Sequence, residues 1–154
     1  MLPSIARFPP CRSHDLFWPL EQYPALLRRN PADEAYWFKW TSAVSGAATI
    51  RVARIGNEAI ATWLYRASHF GKGRCQSARL GLSDWARLED AVVAARFWML
   101  DESGGLHGLD GADWLIAGRR RQDYHLIKRW SPEGALYDLG RLLFDLTGLN
   151  DVRP

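Results

Sequence analysis

Few residues of this chain have the types and spacing that chemistry needs. His69 and His125 are what a small metal-independent nuclease would use as acid and base, with Arg51, Arg66 and Arg129 to hold a phosphate. His107, Asp110 and Asp113 are metal ligands by type, but their spacing matches no calcium loop. No GxSxG elbow, GxxxxGK phosphate loop or HExxH pair occurs. Gly104, Gly105, Gly108 and Gly111 form a loose set after a helical pattern, where a nucleotide cradle would follow a strand. The expectation is therefore a protein that is not an enzyme, with no cofactor and no metal.

Arginine is the residue that points outward. The chain of 154 residues has a net charge of +3, and its basic side chains are almost all Arg, with Lys only at 39, 72 and 128. Residues 1–81 carry +6 and residues 82–154 carry −3. The surplus peaks between Thr49 and Gly81, where Glu58 is the single acid. Arg51, Arg54, Arg66, Arg74 and Arg79 are the candidate partner-binding residues. Arg and Trp dominate interface hot spots, and the planar guanidinium pairs well with carboxylates. The expected partner is an acidic protein, and the expected role is a bacterial immunity-type protein that neutralises a toxin, or an adaptor. Nucleic-acid binding is the alternative, with Trp63 and Tyr65 stacking bases among the arginines. A GC-rich genome would also raise Arg, together with Ala and Gly.

These side chains need a scaffold, and the hydrophobic period supplies one. Tyr36 to Thr41 is aromatic and β-branched, as strands are. Thr49–Arg54 alternates, with Ile50 and Val52 on one side and Arg51 and Ala53 on the other. Gly56-Asn57 signals a turn into a strand over Ala59–Ala67, with Ile60, Thr62 and Leu64 opposite Ala61, Trp63 and Tyr65. Arg74–Leu80 is a fourth strand after a short loop. The period then lengthens: Trp85, Leu88, Val92, Ala95 and Met99 mark an amphipathic helix with Ser83 as its N-cap, ending near Phe97–Leu100. Strands over Asp113–Arg119 and Tyr124–Trp130 make a hairpin in which Trp114 and Trp130 would anchor against a helix. Ser131-Pro132 stops the second strand, and Ser131 is placed to bond local backbone. A last helix opens at Glu133 or Gly134 and closes at Gly148.

The predicted fold is a single α+β domain over residues 35–154: about four antiparallel strands, a helix, a two-strand hairpin and a helix. Six prolines make residues 1–34 an arm packed on that domain, since Phe17, Trp18 and Leu20 are too apolar for a free tail. No run approaches the roughly 20 apolar residues of a membrane span. The N-terminal residues lack the basic start and apolar stretch of a signal peptide, which leaves the cytoplasm as the expected compartment. Cys11 and Cys75 form no CxxC, and two buried thiols fit that compartment better than a bridge.

Leu109-Asp110-Gly111-Ala112-Asp113-Trp114 followed by Tyr124-His125-Leu126-Ile127-Lys128-Arg129-Trp130-Ser131-Pro132 resembles a pattern in an uncharacterised family of small bacterial proteins. Ser83-Asp84-Trp85 and Phe97-Trp98-Met99-Leu100 extend the resemblance, which covers roughly residues 36–149. Ala117 departs from it, because an acidic residue is expected before Gly118. The resemblance implies the fold and carries no activity.

Overall fold

The computed structural model describes residues 33–68 and 73–149. Four strands form an antiparallel meander: β1 (Glu34–Ser42), β2 (Gly46–Ile55), β3 (Glu58–Arg66) and β4 (Arg74–Leu80). Helix α1 (Leu82–Ala94) and a 3-10 turn (Phe97–Met99) follow, then β5 (Ala112–Arg120), β6 (Asp123–Trp130) and α2 (Gly134–Asp145). All six strands belong to one sheet in the order β4-β3-β2-β1-β5-β6. The hairpin is thus no separate unit beside a sheet of about four strands. β5 pairs with β1 along its whole length, from Glu34–Arg120 to Ser42–Ala112, so β1 lies inside the sheet. Neighbouring sequence cannot specify this pairing, because the chain first leaves the far edge at β4 and crosses back through α1. The Pro-rich arm expected over residues 1–34 falls, up to residue 32, outside the described residues. β1 itself starts at Glu34, two residues before the aromatic run.

Pleating divides the side chains of each strand between two faces. Tyr36, Phe38 and Trp40 join Ile50, Val52, Trp63, Trp114 and Ile116 on the face that packs against Trp85, Leu88 and Val92 of α1 and Leu139, Leu143 and Phe144 of α2. Phe38 is at the centre, its ring 4.7 Å from Trp114 and 5.7 Å from Phe144. The other face holds a smaller buried cluster of Ala35, Trp37, Ala53, Ile60, Ala117 and Leu126.

Several local expectations change. Gly81, not Ser83, is the N-cap of α1, and it makes no side-chain cap bond. The helix stops at Ala94, earlier than its apolar stripe suggests. Arg96 adopts a left-handed conformation (φ 51°) and sets the 3-10 turn that drops Phe97, fully buried, edge-on against Tyr36 at 6.0 Å. Burial of one aromatic ring outweighs continuation of the helix there. Ser131 reaches further than its own loop: its Oγ accepts a bond from the Ala112 backbone N–H at 2.9 Å, tying the end of β6 to the start of β5. Gly148 has φ 75°, in the left-handed region that favours glycine, but it lies two residues beyond the Leu146 C-cap of α2 rather than directly after it.

Cys75 is disulfide-bonded, which corrects the expectation of free thiols. Bridging depends on the distance between two cysteines in space, and sequence separation says nothing about it. Cys11, the other cysteine, lies outside the described residues. Among those residues, no helix is long and apolar enough to cross a membrane.

Candidate functional site

The sheet register sorts the five candidate arginines. Arg51 pairs with Trp37, Arg66 with Ala47 and Arg79 with Ile60, so these three share the face opposite the helices. Arg51 is only 7% exposed, in mid-sheet, and contributes charge rather than contact area. Arg74 pairs with Tyr65, at a position of the opposite parity. Arg54 lies on the helix side, its guanidinium 5.5 Å above the Trp85 ring. Lys39, Arg119 and Lys128 join the three arginines on the open-sheet face by the same alternation, against Glu58 and Asp113 there among the described residues. Arg51, Arg66, Arg79, Arg119 and Lys128 each have a further interaction within the chain.

Arg54 has a structural task. Its Nη2 is 3.5 Å from the Glu34 carboxylate and its Nη1 donates to the Gly56 carbonyl at 2.9 Å. Glu34 is buried and also accepts the Tyr36 hydroxyl bond at 2.6 Å. Burial, and then the Glu34 carboxylate, push the Tyr36 hydroxyl well above the usual tyrosine range. Glu34→Gln keeps the shape but removes the charge facing Arg54, and it is expected to cost about 1–2 kcal/mol in a urea titration. An unchanged midpoint would show that the pair carries no net stability.

The nuclease grouping does not assemble. His69 lies outside the described residues. His125 is on the helix side, its ring edge-on to Phe97 at 5.2 Å, whereas Arg51 and Arg66 are on the other face. Trp63 and Tyr65 also belong to the helix-side cluster, so they do not interleave with Arg51, Arg66 and Arg79 as a base-stacking platform would require. Among the described residues no three His, Cys, Asp or Glu side chains come together as metal ligands.

Sequence reasoning missed a concavity beside the hairpin. The loop from Asp101 to Gly111 runs along the outer edge of β6: the Lys128 N–H donates to the Glu102 carbonyl at 2.6 Å, and Ser103 bridges to Lys128 in parallel. Arg129 clamps it, donating to the carbonyls of Asp101 at 2.8 Å and Glu102 at 3.2 Å. A Cβ at Gly104 would come within 3.3 Å of that guanidinium. The loop then folds over Trp130, where a Cβ at Gly108 would meet the indole at 2.7 Å. Trp130 thus anchors this loop, while Trp114 alone of the hairpin pair packs against a helix. Loop and sheet enclose a cavity of about 770 Å3 that opens beside Lys39, Thr41, Leu115, Lys128 and His107. Glycines at close spacing are the signal that could have marked it: they mark close backbone approach, here to side chains of β6.

Tyr124 borders the same edge. Burial, with the nearby Glu102 carboxylate, pushes its hydroxyl up to about 12. A tyrosine held neutral in the fold adds stability that is complete below pH about 10 and is lost as pH rises through 12. Thermal melts from pH 9 to 12 should fall in that window, and Tyr124→Phe should make the fall shallower, with Tyr36 supplying the remainder.

No protein-family model matches the chain, and no curated protein sequence matches it. Ala117 is buried in the cluster with Trp37 and Leu126, where an acidic side chain would carry a desolvation cost.

Proposed function

We propose that this chain is a protein-binding module of the bacterial immunity type, which neutralises an acidic partner or acts as an adaptor, and is not an enzyme. The observation that carries the reading is the charge of one sheet face: Arg51, Arg66, Arg79, Lys39, Arg119 and Lys128 against Glu58 and Asp113 among the described residues. Because most of these cations already have partners in the chain, the face acts first through its field, steering an acidic surface into register. Leu106 and Leu109, 88% and 93% exposed on the adjoining loop, are apolar anchors that a protein would cover. Separation of Trp63 and Tyr65 from the arginines weakens the nucleic-acid reading. Kinship with the small bacterial proteins belongs to the same proposal, as does the cytoplasm, against which the disulfide at Cys75 weighs.

The test is co-purification of the tagged chain from its source cells with and without nuclease, across a salt series. A protein recovered at a fixed ratio after nuclease treatment is expected. Recovery that vanishes with nuclease and falls steeply with salt would transfer the face to nucleic acid.

A further inference from the structure

We propose that the cavity between the Asp101–Gly111 loop and the sheet is a binding site for a small organic anion, an apolar body carrying one carboxylate or phosphate. Three observations converge. The first is size. At about 770 Å3 the cavity is within the range of small-molecule sites, roughly 300–1,000 Å3, and far larger than one acidic side chain needs.

The second is the order of the lining. Across the sheet, Lys39 of β1, Leu115 of β5 and Lys128 of β6 lie in one row. The two lysines are two strands apart, roughly 9–10 Å between Cα atoms, a span that their flexible stems can close on one acidic group. Leu115, half-buried between them, offers an apolar floor. The Thr41 and Ser103 hydroxyls and the His107 ring add hydrogen-bonding groups at the walls.

The third is an unbalanced charge. Lys39 is half-buried and faces the cavity, yet it makes no ion pair among the described residues. Burying part of a charged side chain carries a desolvation cost that an opposite charge offsets. Asp113, the acid in the lining, is exposed and belongs to the neighbouring row with Thr41, and Lys39, Lys128 and Arg129 outweigh it. Arg129 is held by loop carbonyls and Lys128 has an interaction of its own within the chain, so both fix the wall and add to the field while Lys39 is the group aimed at a ligand.

Calorimetric titration of the full chain with phenyl phosphate, phenylacetate and the neutral 2-phenylethanol tests the site. Saturable binding of at least one anion is expected, about tenfold or more tighter than the neutral compound. The stronger of the two anions tells phosphate from carboxylate. Lys39→Gln should weaken it by about tenfold. Leu115→Trp, which fills the floor, should abolish binding while leaving the far face of the sheet unchanged. His107→Gln, on the loop, keeps the test alive if a strand variant fails to fold, and it should weaken binding severalfold. Equal affinity for the neutral compound, no saturable binding of either anion, or affinity unmoved by these changes in folded variants would overturn the proposal. Lys39 and Lys128 belong to both the cavity and the basic face, so protein docking is judged separately, on Arg79 and Arg119, which are not in the cavity lining.

Discussion

Phe38→Ala is expected to lower unfolding free energy by about 3–5 kcal/mol. Phe38 is fully buried in the strand at the middle of the sheet, and it touches both the hairpin and the last helix through Trp114 and Phe144. Removing the ring deletes its transfer free energy and leaves a cavity bounded by two rigid aromatic side chains, which cannot collapse to fill it. Val44→Ala, at a turn residue that is 82% exposed, should change stability by no more than about 0.5 kcal/mol. Urea titration of both variants decides the matter. A small loss for Phe38→Ala would mean that β5, β6 and α2 do not close over β1 as described.

Gly140→Val is expected to cost about 3 kcal/mol, and Gly140→Ala less but with the same sign. Helix propensity alone predicts the opposite for alanine, a gain of about 1 kcal/mol over glycine in a helix interior. The difference comes from Trp114. A Cβ on Gly140 would fall on its six-membered ring, and that ring is only 3% exposed and confined by Phe38 and Tyr137. Overpacking then exceeds propensity. Thermal melts of the alanine variant give a sign test: a raised midpoint would show that α2 sits further from the sheet.

These two sites show what the sequence carries and where it stops. Alternation predicts the parity of Ile50, Val52, Arg51 and Ala53 in β2 and of Ile60 to Tyr65 in β3 correctly: Ile50 and Val52 share one face with Trp63, and Arg51 shares the other with Ile60. Period-2 patterning is local physics, so it survives without a structure. Which face would meet the helices was hidden, because both faces of β1 are apolar: Tyr36, Phe38 and Trp40 on one side, Ala35 and Trp37 on the other. That ambiguity is why Arg54 reads like its neighbours in sequence although it braces Glu34 above Trp85, and why Trp63 reads like a stacking residue although it is core. The pairing of β5 with β1, and with it the cavity beside Lys39 and Lys128, depends on contacts between residues far apart in the chain, which no short pattern encodes.

The sheet face opposite the helices is the surface proposed to meet a protein partner. The most direct measurement compares two charge-reversed variants in the same co-purification: Arg79→Glu with Arg119→Glu on that face, and Arg87→Glu with Arg141→Glu on the exposed sides of α1 and α2. With folding verified by thermal melts, the first pair should lose the partner and the second should retain it. Retention by the first pair, or loss by the second, would contradict the assignment of the basic sheet face.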